Sequence, residues 1–119
     1  MIFKHNIIIK DGLQVITIEG KLLERYQAEE LLETVKENIE EGKSNVLVNL
    51  SALNFINSTG LSVLINLLTY ARQGNGDVVL FGISNKIKEL LLITKLNSIF
   101  QVAENEEEAI KYFTCTENI

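Results

Sequence analysis

The sequence predicts an α/β domain: a mostly parallel sheet of about five strands, an antiparallel N-terminal edge strand and about four helices. Three observations carry this. Two Ile/Val-rich runs, residues 3–9 and 14–19, flank Lys10-Asp11-Gly12-Leu13, and Asp-Gly between apolar runs signals a hairpin. Beyond them, apolar runs of strand length alternate with stretches of helical periodicity, the rhythm of right-handed β–α–β crossovers. The run Asn45-Val46-Leu47-Val48-Asn49-Leu50 has a continuous Val-Leu-Val core, which fits a strand covered on both faces.

Taken in order, Val15, Thr17 and Glu19 alternate with Ile16 and Ile18 in a half-buried pattern, and Gly20 is read as the end of that strand. Ala28, Leu31, Leu32, Val35 and Ile39 recur at helical spacing, with Glu29, Glu30, Glu33, Lys36, Glu37 and Glu40 facing away and Gly42 as the stop. This acidic face over residues 28–41 is read as solvated and carries no catalytic claim. After the strand at 45–50 comes a helix from Ser58 to about Gly74. It has one apolar stripe at Leu61, Leu64, Ile65 and Leu68 and a second at Val63, Leu67 and Tyr70. Either the helix is deeply buried or part of the second stripe docks a partner. Gly74-Asn75-Gly76-Asp77 is a turn, residues 78–81 a buried strand, and Ser84 caps a helix through Leu92 with Ile87, Leu90 and Leu91 inward. Gln101-Val102 forms a short strand. Asn105 with Glu108 three residues later starts a last helix, with Ala109, Ile110 and Phe113 as its buried face.

The 119 residues are read as one domain, 1–119, long enough to bury a core without metal or disulfide staples. A net charge of −5 argues against nucleic acid or an anionic membrane as the main partner, because both call for a basic patch. The single cysteine, Cys115, has no partner for an internal disulfide or a zinc site. No secretory leader opens the chain and no apolar run reaches membrane length, so it is expected to be cytoplasmic.

Catalytic chemistry is absent from the pattern. His5, the only histidine, lies in the first strand away from any nucleophile. The glycines form no phosphate-binding loop, and the carboxylates cluster on helix surfaces. A receiver domain, similar in rhythm, would place acidic residues where this chain has Asn49, Asn54 and Asn57. The chain is therefore read as a non-enzyme without metal or cofactor. What remains is the adjacent pair Ser58 and Thr59 at a helix start, where a negative group is electrostatically favoured. On its own, without further context, Ser58 reads as a plain helix cap, since hydroxyls are ordinary N-caps.

The run Leu50-Ser51-Ala52-Leu53-Asn54-Phe55-Ile56-Asn57-Ser58-Thr59-Gly60-Leu61 resembles the signature of STAS domains, the family of bacterial anti-sigma factor antagonists. There an apolar strand leads to a leucine, an aromatic–aliphatic pair, Asp, two hydroxyl residues, Gly and Leu. The first hydroxyl is the regulatory phosphorylation site and maps onto Ser58, with Thr59 as an alternate. The resemblance implies partner contact through Asn57, Ser58, Thr59, Gly60, Leu61 and Val63. It also implies a partner, an anti-sigma factor serine kinase of the histidine-kinase-like ATPase class, and a PP2C-type phosphatase that restores the serine.

The chain departs from the pattern at three places. Asn57 replaces the Asp. Lys21-Leu22-Leu23 stands where an acidic residue, an aliphatic one and an Asp are usual, unless Glu24 supplies the carboxylate after an insertion. Lys95 occupies a common Gly position, so the loop backbone there is expected to differ. The competing readings are a constitutive subunit of a lipid-transport ATPase complex or stress-signalling scaffold, and a small-molecule or nucleotide binder.

Overall fold

The computed structural model describes residues 3–115, with side chains through Phe113, so the Cys115 thiol lies outside the described residues. Five strands form one sheet in the order β1-β2-β3-β4-β5, with β1 (Phe3–Lys10) antiparallel to β2 (Leu13–Leu22). β3 (Val46–Ile56), β4 (Val78–Phe81) and β5 (Gln101–Ala103) continue the sheet in parallel. The β1–β2 turn is the expected two-residue one: Asp11 and Gly12 both take positive φ, 53° and 80°, as the tight hairpin twist requires.

Sequential strand order with crossovers of one hand puts the connecting helices on one face. Accordingly α1 (Glu29–Glu40), α2 (Ser58–Gln73) and α3 (Asn85–Ile93) share one core with Ile16, Ile18, Val48, Leu50 and Leu80. α4 (Glu106–Cys115) covers the other face through Ala109 and Phe113, against Leu47, Val79 and Phe81. Val46, Val48 and Leu50 thus point one way and Leu47 the other, as anticipated for a doubly covered strand.

Two readings of the strands need correction. Gly20 does not end β2, which runs on to Leu22; Gly20 instead takes φ 92° within the strand. β3 likewise does not stop at Leu50 but continues through Ile56. The reason lies in the register. Thr17 pairs with Asn49 but Glu19 with Ala52, and Gly20 with Leu53 but Lys21 with Phe55, so β3 carries one extra residue at each of two bulges. Each bulge converts a two-residue repeat into three, so Leu50, Leu53 and Ile56 all reach the core of the three-helix face. Phe55 is turned out, 53% exposed. An irregular strand of this kind has no period-2 signal to read.

The 3₁₀ turn Arg25–Ala28 delivers the chain into α1, with the Gln27 Oε1 accepting from the N–H groups of Leu23 and Glu24, both at 2.9 Å. Gln14, fully buried, ties β2 to α1: its Nε2 donates to the carbonyls of Lys43 (2.9 Å) and Val35 (3.3 Å), and its Oε1 accepts from Asn38 Nδ2 at 3.0 Å. Ser84 caps α3 and Asn105 caps α4 through side-chain oxygens, as the residue types predict. Lys95 adopts φ 63° and ψ 17°, the left-handed conformation that glycine takes most readily, so the loop bends there without the glycine.

Candidate functional site

The start of α2 is built by Asn57. Its extended backbone and its Oδ1, which accepts from the Gly60 N–H at 2.9 Å, make it the N-cap. Ser58 is therefore the first helical residue and not the cap. Asn57 Nδ2 donates at the same time to the Leu23 carbonyl at 3.1 Å, fastening the helix start to the segment that follows β2. An Asp could cap equally well but has no hydrogen to offer Leu23. The departure from the family's Asp thus gains a bond that an ionised carboxylate lacks.

Because Asn57 supplies the cap, the hydroxyls of Ser58 and Thr59 are released from that duty. Both side chains are exposed and neither accepts or donates a hydrogen bond among the described residues. Ser62 Oγ reinforces the first turn by donating to the Ser58 carbonyl at 3.1 Å. The N–H groups at the helix start and the helix dipole favour an anion at this position.

The remaining members of the expected partner-binding set are not at the surface. Gly60 is buried, Leu61 is 3% exposed and Val63 fully buried, so these three shape the site from beneath and cannot touch a partner. The cause is the close approach of α2 to the sheet. A β-carbon on Gly60 would stand 2.5 Å from both the Leu22 carbonyl oxygen and Ile56 Cγ1. With Val63 and Leu67 fully buried and Tyr70 half-buried, the second apolar stripe belongs largely to the core.

Phe55, Lys21 and Lys86, to which the sequence assigned no binding role, complete the surface. The outward Phe55 ring lies under two ammonium groups, with Lys21 Nζ 5.8 Å and Lys86 Nζ 5.6 Å from its centroid. Beside it opens a cleft of about 180 Å³ between the end of β3 and α3, lined by Asn54, Phe55, Ile56, Lys86, Ile87 and Leu90. Glu24, the candidate substitute for a missing Asp, is exposed on the turn after β2, where it raises the pKa of the Tyr26 hydroxyl through a hydrogen bond and its charge. No group of three or more metal-ligating side chains converges anywhere among the described residues, and no described helix is long and apolar enough to cross a membrane.

Comparison with known proteins agrees with this geometry. The family model for the STAS domain matches residues 4–109. The anti-sigma-B factor antagonist of Staphylococcus epidermidis is 30% identical over 100 residues, covering 84% of this chain and 92% of its own. Among solved structures, the anti-sigma factor antagonist SpoIIAA in its unphosphorylated form superposes with a TM-score of 0.71 at 16% identity, over 99% of this chain and 100% of its own. The phosphorylated form of SpoIIAA, a Bacillus cell fate determinant, gives 0.70 at 20% identity, over 94% of this chain and 99% of its own. A match to the family model over nearly the whole length, on a five-stranded sheet of the same kind, establishes that this chain belongs to the STAS domain family.

Proposed function

We propose that this chain is an anti-sigma factor antagonist switched at Ser58. Unphosphorylated, it binds an anti-sigma factor of the histidine-kinase-like ATPase class and thereby frees the sigma factor. The bound ATPase transfers phosphate to Ser58 and is released, and a PP2C-type phosphatase restores the serine. Thr59 is the alternate acceptor. The chain acts by binding and carries out no reaction of its own.

The observation that supports this reading is the division of labour at the start of α2. Asn57 holds the helix, so Ser58 offers an exposed, uncommitted hydroxyl whose modification leaves the fold's hydrogen bonds intact. A phosphate there adds about −1.5 to −2 charge. Covering that charge at an interface without a cationic partner costs at least several kcal/mol, against about 8 kcal/mol for a whole micromolar complex. One modified side chain is then enough to dissolve the complex with no change of fold.

The test is affinity capture from a lysate of the source organism with wild-type and Ser58→Asp baits. Retention of a histidine-kinase-fold ATPase by the wild type, and its loss with the variant, is the expected result. Retention of one transporter ATPase or scaffold protein by both baits would overturn the reading.

A further inference from the structure

The surface beside Ser58 has a feature that a plain phosphorylation switch does not need. Lys21 and Lys86 come from β2 and from α3, 65 residues apart in sequence, yet their ammonium groups converge on one exposed aromatic ring. The chain carries 16 acidic residues against 11 basic ones, so a lysine on this surface has many possible partners. Neither Lys21 nor Lys86 enters an ion pair among the described residues, whereas Lys10, Lys43, Arg72 and Lys111 do. The adjoining cleft is lined by Ile56, Ile87 and Leu90 with no carboxylate among its six residues. Phe55, 53% exposed beneath two lysines that have no ion-pair partner among the described residues and at the mouth of an apolar cleft, is well suited to being covered by a partner.

We infer that this cleft receives an acidic segment of the binding partner, one carboxylate-bearing stretch with an aliphatic side chain entering beside Phe55. The charge complement selects that occupant. A basic segment would meet two ammonium groups with no carboxylate to answer it, and a purely apolar one would leave both cations to be desolvated unpaired. The inference rests on the antagonist reading for the identity of the natural partner and adds the chemistry of its contact. It also gives the switch a second lever. Ser58 lies three positions beyond Phe55, a span of at most about 11 Å of extended chain, close to the screening length of roughly 8 Å at physiological salt. A phosphate on Ser58 therefore repels an acidic occupant of the cleft even without direct contact.

The test is an amide NMR titration of the full chain with two short synthetic peptides of equal length, one of Glu and Leu and one of Lys and Leu. Shifts confined to Phe55, Ile56, Lys86 and Leu90 are expected with the Glu/Leu peptide alone, weakening about tenfold from low to high salt. The double variant Lys21→Glu/Lys86→Glu, both sites being exposed, should keep its circular dichroism and lose the shifts. The equally charged control Lys4→Glu/Lys36→Glu should keep them. Equal shifts with both peptides, none with either, or binding lost as fully in the control pair would overturn the inference. No anti-sigma factor enters this titration, so its failure leaves the Ser58 reading standing, and a failed Ser58→Asp capture leaves the peptide result standing.

Discussion

Asn57 is the residue whose removal has the most legible consequence. Replacement by Ala deletes the cap bond to the Gly60 N–H, about 1 kcal/mol for an Asn N-cap, and the bond to the Leu23 carbonyl, about 0.5–1 kcal/mol where water replaces part of it. The sum is about 1.5–2 kcal/mol, a fall in Tm of roughly 6–10 °C for a domain of this size. Asn57→Asp behaves differently. It keeps the acceptor and gains about 0.3–1 kcal/mol from a negative charge at the helix N-terminus, while losing the Leu23 bond and setting a carboxylate oxygen against a carbonyl. The two contributions nearly cancel, and the variant should stay within about 0.5 kcal/mol of wild type. Urea unfolding followed by circular dichroism resolves the two cases. An Ala variant within about 0.3 kcal/mol of wild type would refute the cap, since even peptide hosts lose more than that. An Asp variant as unstable as the Ala variant would refute the ranking of cap over Leu23 bond.

Gly60→Ala places a β-carbon against the Leu22 carbonyl, backbone that has little room to retreat, and should lower stability by about 1–3 kcal/mol in the same unfolding assay. Lys95→Gly should raise it by about 0.5–1 kcal/mol, because the exposed lysine already holds the left-handed conformation that glycine adopts without strain. Tyr112 donates to Asp77 Oδ2 at 3.0 Å, and burial, the hydrogen bond and the Asp77 charge raise its pKa above the ordinary 10.0. A raised folded pKa means that the unfolded chain loses the phenolic proton first. Stability is thus complete below pH 10.0 and declines as pH climbs through the higher folded pKa. Unfolding midpoints measured on either side of that value should fall with pH, and less so in Tyr112→Phe.

Much of this molecule is legible residue by residue. The Asp11-Gly12 hairpin, the Ser84 and Asn105 caps and the helical stripe of α1 each follow from local chemistry, and each stands where the residue types place it. The strand β3 is harder to read because its two bulges abolish the alternation on which strand recognition depends, and that irregularity is what turns Phe55 outward. The exchange of roles between Ser58 and its neighbour was hidden for another reason. Ser and Asn are equally good caps, and only the extended backbone of Asn57 and its reach to Leu23 decide between them. Val63 and Leu67 carry a stripe compatible with core or interface, and the tight seat of Gly60 on β2 settles it in favour of the core. Lys21 and Lys86 have no local signal at all, since their meeting over Phe55 depends on β-sheet register and the seating of α3.

The claim at the centre, that a phosphate on Ser58 dissolves the complex, is tested most directly with the purified chain, the captured ATPase and ATP. Peptide mass mapping of the modified residue and gel filtration of the same sample give both halves of the answer. A single phosphate on Ser58 that appears as the complex falls apart, and that is absent in Ser58→Ala while its complex persists, is the predicted result. Phosphate elsewhere, or a complex that survives full modification of Ser58, would contradict it.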